Sequence, residues 1–288
     1  MIHTLTLCCF VVIGQGQPEA IAREAAPEGA TVSERGAKAV EAYELPVLVD
    51  VNPGVWLMRV RGNTSFGGGT FKLDDTMGVD RLNAAFRGEL SLYHGDWAVK
   101  LMGTSINAGG EVESAGGTWG TLPLAVGDST SFEMSWLQFE GQWTAWTLLG
   151  DGRRDTVDGL DLSFGPHLAI SWIDIEEKLT SAALGTTATG RGSWWSVMGG
   201  GQVSMQADMR PFASWLHQLR VDVSGHVGTT VSQGGFAWAV QGGMTMMFTP
   251  NIGATVGYRL IEFNELEYDG WTVSPRFPGL FIGMNVTF

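Results

Sequence analysis

Residues 279–288, with the sequence GLFIGMNVTF, alternate between apolar side chains and residues that are mostly glycine or polar. The alternate positions Leu280, Ile282, Met284, Val286 and Phe288 are all apolar. Because successive side chains of a β-strand point to opposite faces, this spacing predicts a strand with one wholly apolar face.

Nine further segments upstream alternate in the same way. In the segment before the last strand, Ile252, Ala254, Val256 and Tyr258 alternate with glycine and threonine. The pattern predicts ten strands, over residues 56–60, 84–93, 97–104, 131–146, 160–172, 193–206, 218–227, 236–246, 252–260 and 280–288. In the fourth of these the apolar phase shifts at Trp136, which predicts a β-bulge there.

The connections between these strands alternate in length. The odd-numbered connections are mostly longer than the even-numbered ones, which include short turns at residues 94–95 and 249–250. Such alternation is typical of a membrane barrel with long external loops and short periplasmic turns. An even number of strands would place both ends of the barrel on the periplasmic side.

Two all-β architectures fit the strands, a membrane barrel and a soluble sandwich or barrel. The polar faces are rich in small uncharged residues, which suits a narrow lumen better than a surface in water. Tryptophans near strand ends fit the aromatic girdles of a membrane protein, namely Trp56, Trp97, Trp172, Trp194, Trp195 and Trp238. We therefore expect a closed antiparallel up-and-down transmembrane β-barrel of about ten strands, within a range of roughly 8 to 12.

Composition excludes other classes of protein. The chain has 288 residues, a net charge of -13 and only 16% charged residues, so it lacks the basic clusters that contact phosphates, and we expect no nucleic-acid partner. Both cysteines, Cys8 and Cys9, lie in the first ten residues, which leaves none for a disulfide in the body of the chain. A membrane-spanning helix is not expected, because no apolar run reaches about 18 residues.

The amino-terminal part divides into two segments. An apolar run over residues 5–14, followed by small residues, predicts a signal peptide over residues 1–16, with a buried strand or a lipoprotein signal at Cys8 or Cys9 as alternatives. Residues 17–51 are rich in Ala, Glu and Gly and predict a periplasmic linker or short helix. The barrel is expected over residues 52–288.

Over residues 52–288 the chain resembles the small single-chain β-barrel proteins of the bacterial outer membrane. The terminal Phe288, with Val286, Met284 and Ile282 before it, resembles the signal read by the barrel assembly machinery. The resemblance implies export through the periplasm to the cell outer membrane and contact with its lipids and lipopolysaccharide. It also implies assembly by that machinery and a monomeric barrel, and it says little about activity.

The predicted lumen carries basic and acidic side chains in nearly equal number. These are Arg59, Arg61, Arg87, Glu89, Lys100, Glu133, Glu140, Asp161, His167, Arg220, Asp222, His226 and Arg259. About ten strands enclose a lumen that side chains can fill, and buried charges must be paired. We therefore expect a largely plugged lumen and a structural or loop-mediated binding role, with a narrow channel for small polar solutes as the alternative.

An enzymatic role is the more distant alternative, and no catalytic residue, cofactor or metal is expected. The omptin proteases have a similar length and active residues near the outer rim. Here Asp222 and His226 face the same way, but they lie about 13 Å apart along one strand, beyond hydrogen-bond reach. The spacing of Ser224 and His226 likewise gives only weak support for a lipid A-modifying enzyme.

Overall fold

The computed structural model describes residues 47–150, 159–231 and 235–288. All regular structure in these ranges is β-strand. Within them, no helix has the length and hydropathy needed to cross a membrane. The predicted signal peptide and most of the predicted linker lie outside the described residues. The first strand begins at Leu48, inside the segment predicted as linker.

Ten long strands form a closed antiparallel ring, as predicted. They are β1 (Leu48–Met58), β4 (Asn83–His94), β5 (Trp97–Glu111), β8 (Ser129–Trp143), β10 (Leu160–Thr180), β11 (Thr187–Asp208), β12 (Gln218–Thr230), β13 (Phe236–Met247), β14 (Ile252–Asn264) and β16 (Trp271–Thr287). Each pairs with the ring strands before and after it, and pairing of β1 with β16 closes the ring. Closure leaves no free edge, which a β-structure in lipid requires.

Six shorter strands lie outside the ring. Four pair with ring strands or with one another along the same sheet, namely β2 (Arg61–Phe66), β3 (Thr70–Lys72), β9 (Trp146–Leu149) and β15 (Leu266–Tyr268). The other two, β6 (Thr118–Trp119) and β7 (Leu122–Pro123), form a separate two-stranded sheet. All except β9 belong to connections at one end of the barrel, which we call the external end.

The outer surface of the ring changes from apolar to polar toward the external end. On β10 the outward side chains of Leu160, Leu168 and Ile170 are exposed, whereas Asp174 and Lys178 further along the same face are charged. The outward faces of the neighbouring strands β5, β8 and β11 change from apolar to polar at the same height along the barrel. The apolar part forms a band suited to contact with lipid, and the polar part extends beyond the membrane.

The interior of the barrel changes from polar to apolar toward the external end. At the external end it is a continuous apolar cluster, whose large aromatic side chains include Trp56, Trp119, Trp194, Trp271, Phe132, Phe263 and Phe277. At the level of the lipid-facing band the interior is mostly polar. Truncating one such buried aromatic side chain costs about 3–5 kcal/mol, so the cluster contributes strongly to stability.

This reversal explains the phase shift at Trp136, where the predicted bulge is wrong. The register of β8 with both β5 and β10 is continuous through that residue. Phe132 and Trp136 point into the apolar interior, and Phe139 points out to lipid. For the same reason, the predicted girdle residues Trp56 and Trp194 lie in the interior, whereas Trp97 and Trp195 are exposed on the outer surface.

Candidate functional site

The structure divides the predicted lumen residues into two groups. Ten lie inside the barrel, namely Arg87, Glu89, Lys100, Glu140, Asp161, His167, Arg220, Asp222, His226 and Arg259. Three lie outside, because the apolar and polar faces exchange toward the external end. Of these, Arg59 and Arg61 are exposed, and Glu133 faces outward, with its carboxylate 4.0 Å from Nζ of Lys178.

Two histidines meet at the centre of the polar interior. His167 on β10 and His226 on β12 are both in register with Gly200 on the strand between them. A Cβ at Gly200 would lie 2.6 Å from Nε2 of His167 and 2.0 Å from the carbonyl oxygen of Gly225. The missing side chain therefore lets the two rings meet, with His167 Nε2 2.7 Å from His226 Nδ1.

A carboxylate completes this group. Oε1 of Glu140 lies 3.0 Å from Nδ1 of His167, the nitrogen that faces away from His226. The amide of Gln138 donates a hydrogen bond of 3.0 Å to Oε2 of Glu140, and the amide of Gln142 donates to Oε1. These glutamines flank Glu140 at alternate positions of β8, so one strand supplies the carboxylate and two of its donors.

Two arginines in the interior stack on aromatic rings. The guanidinium of Arg259 lies 4.4 Å from the ring centre of Trp136, and that of Arg87 lies 4.4 Å from the ring centre of Phe281. Arg259 also donates a 3.0 Å hydrogen bond to Gln241. Cation–π contacts of this kind compensate part of the cost of burying a charge.

A small polar cavity of about 50 Å³ lies near the periplasmic end of the interior. Its lining includes Glu89, Lys100 and Asp222 from the predicted set. Close by, Asp50 receives a hydrogen bond of 2.6 Å from the hydroxyl of Thr287 and lies 3.3 Å from Arg220. These contacts join β1, β12 and β16 across the lumen.

One buried acid at the external end was absent from the predicted set. Oε2 of Glu177 accepts hydrogen bonds of 2.6 Å from Thr64 and 3.1 Å from the indole N–H of Trp271. Burial in the apolar cluster raises the pKa of Glu177 to about 7, and these two hydrogen bonds offset only part of the effect. Glu177 lies beyond the lipid-facing band, five positions after the last apolar outward residue, Trp172.

The sequence did contain a signal for Glu177. In residues 173–179, Ile173, Ile175, Glu177 and Leu179 share one face, and charged residues occupy the other. A single acid on an apolar face indicates a buried carboxyl group. The signal was missed because this segment was expected to belong to the connection that follows a strand ending at residue 172.

The sequence matches none of the protein families or characterised proteins with which it was compared. Among solved structures, similarity is found to Ail of Yersinia pestis, with 10% identity, a TM-score of 0.36, and coverage of 85% of this chain and 100% of the other. Similarity is also found to the protease OmpT of Escherichia coli, with 9% identity, a TM-score of 0.42, and coverage of 84% and 97%. Neisserial surface protein A gives 11% identity, a TM-score of 0.33, and the same coverage as OmpT.

The architecture itself identifies the class of protein. Ten antiparallel strands close into a ring, and the two longest connections, residues 59–82 and 112–128, lie at the same end. An apolar band on the outer surface surrounds a polar interior, the reverse of the arrangement in a water-soluble protein. The chain is a small β-barrel protein of the bacterial outer membrane.

Proposed function

We propose that this protein is a non-conducting outer-membrane barrel with a structural or loop-mediated binding role. The observation that carries the proposal is the packing of two external connections into the interior. Leu73 and Met77 from one connection, and Trp119 and Leu122 from the other, are buried in the same cluster as the inward side chains of the ring. Such packing closes the external end to solutes.

The polar half of the interior supports the same proposal. Its side chains form buried hydrogen bonds and ion pairs, and its cavity of about 50 Å³ has room for only a few water molecules. Ring size points the same way, because open porins have about 16 strands, whereas side chains can fill a barrel of this size.

The external connections support a binding role. Each of the five carries a large apolar side chain that is exposed, and these are Leu82, Val126, Leu184, Val231 and Tyr268. Exposed apolar residues on connecting segments are common anchors for a partner.

Planar-bilayer conductance of the refolded protein tests the closed state. The protein is first shown to be folded by the shift in gel mobility between unheated and boiled samples. We expect no stable conductance steps from folded protein. Reproducible steps that disappear on boiling would contradict the proposal and would favour a narrow channel, for which the polar cavity is the supporting observation.

We also propose the partners that such a barrel requires. The lipid-facing band would contact membrane lipids, and the external groove with Arg61, Lys72 and Arg276 in its lining would lie near lipopolysaccharide phosphates. The barrel assembly machinery would recognise β16 and Phe288. The closed ring has no free edge for a second copy to extend, which supports a monomer.

A further inference from the structure

We propose that His167 and His226 bind a divalent copper ion between their facing nitrogens, with Glu140 as a positioning residue. This site goes beyond the closed-barrel function and does not depend on it. Of the residues that the structure describes, Glu140, His167 and His226 offer ligand atoms that lie within 4.8 Å of one another. All three are buried, so they form a built site rather than a surface cluster.

The spacing of the nitrogens favours copper. Two nitrogens at about 2.0 Å from one ion are about 2.8 Å apart in adjacent square-planar positions, and about 3.3 Å apart in a tetrahedron. His167 Nε2 and His226 Nδ1 share a hydrogen bond of 2.7 Å, which is close to the first of these distances, and an ion held by both nitrogens would replace that hydrogen bond. Square-planar sites with nitrogen and oxygen ligands are typical of Cu²⁺, which also binds such ligands more tightly than other divalent first-row ions.

A third donor lies beside the two nitrogens. The carbonyl oxygen of Gly225 is 3.2 Å from Nε2 of His167, close enough to share an ion with it. A water molecule would complete the square plane.

Glu140 is placed to act through His167. Its carboxylate lies 3.0 Å from Nδ1, so it sits beside the ring nitrogen that faces away from the proposed ion. A carboxylate on the far nitrogen of a ligating histidine also raises the basicity of the ligating one. Gln138 and Gln142 hold the carboxylate in place.

The polar cavity lies beside the site, because Lys100 in its lining is the cross-strand partner of Glu140. Asp50 and Asn285, near the periplasmic ends of β1 and β16, line it together with Asp222, which shares a strand with His226. Arg87 and Lys100 line the same cavity and repel a cation, but the three carboxylates of Asp50, Glu89 and Asp222 line it too. The carboxylates therefore balance the local positive charge.

Copper titration of the refolded full chain, read by electron paramagnetic resonance, tests the proposal. All variants carry His3→Gln, because a free amino terminus followed by histidine at the third position binds Cu²⁺ by itself. We expect one equivalent of Cu²⁺ with an axial spectrum and splitting from two nitrogens. His226→Gln should abolish that signal, and Glu140→Gln should weaken binding by about 10- to 100-fold.

His217→Gln is the matched control, since His217 lies in a periplasmic connection and should leave the signal unchanged. Each variant is first checked for the folded gel mobility, and Glu140→Gln provides the test if His226→Gln does not fold. Equal copper binding by folded wild type and His226→Gln, or by wild type and Glu140→Gln, would overturn the proposal. Loss of the signal in His217→Gln would overturn it too.

Discussion

Replacing Glu177 with glutamine should remove a pH-dependent loss of folding stability that arises at the external end of the barrel. The carboxyl group of Glu177 lies in the apolar cluster, and Oε1 has no hydrogen-bond partner among the described residues. Glutamine has nearly the same shape and stays neutral at every pH. Its side-chain oxygen can still accept hydrogen bonds from Thr64 and Trp271.

The size of the effect follows from the pKa. The pKa of Glu177 is about 7 in the folded protein, against 4.5 for an ordinary glutamate side chain. The folded state therefore prefers the protonated carboxyl, and the wild type loses stability as the pH rises from about 4.5 to above 7. The difference corresponds to a loss of about 3 kcal/mol, since one pKa unit is worth about 1.4 kcal/mol.

Urea unfolding in lipid vesicles, followed by tryptophan fluorescence, measures this loss at pH 4.5 and at pH 8. The stability of Glu177→Gln relative to wild type should rise by about 3 kcal/mol between the two pH values. Glu113→Gln, at an exposed external position, controls for the loss of one negative charge and should follow the wild type. The reasoning fails if wild type and Glu177→Gln show the same pH dependence.

Three further predictions concern the wall of the barrel and its assembly. Leu168→Arg, on the lipid-facing band, should lower the free energy of unfolding in vesicles by about 2–4 kcal/mol, whereas Asn107→Arg, on the polar outer surface, should have little effect. Gly200→Ala should reduce or abolish the folded gel mobility because its Cβ would lie 2.0 Å from the Gly225 carbonyl oxygen; Gly199→Ala, where a Cβ meets nothing within 4 Å, should fold normally. Deletion of Phe288 should reduce the amount of barrel in the outer membrane of cells without preventing refolding of the purified protein in detergent; equal amounts in cells would contradict the predicted assembly signal.

The ring could be predicted from the sequence because the two faces of each strand lie in different environments. Side chains that alternate between apolar and polar with a period of two indicate such a strand. The predicted ten strands agree with the structure. The predicted alternation of connection lengths is wrong, because β10, β11 and β16 extend into segments predicted as loops. The connections over residues 181–186, 231–235 and 265–270 at the external end are shorter than those over residues 144–159 and 209–217 at the other end. Alternation alone does not say which face points inward. For residues 56–60 the apolar face points into the barrel, and for residues 280–288 it points out to lipid.

The site could be predicted only in part. His167 and His226 were expected on the polar interior face, but their contact depends on strand register and on Gly200 between them. Cross-strand neighbours depend on how the ring closes, which no local pattern records. Glu177 was missed for a related reason, since its burial depends on external connections that pack over it.

The charged outer surface beyond the membrane constrains how the barrel can be inserted. Asp174, Glu176, Lys178 and Arg191 face outward there, yet they must pass through the hydrocarbon layer when the protein enters from the periplasm. Each Arg or Lys exposed to lipid at the midplane costs about 2–4 kcal/mol. Unassisted insertion should therefore be fastest in thin or defect-rich bilayers, where this transient barrier is lowest.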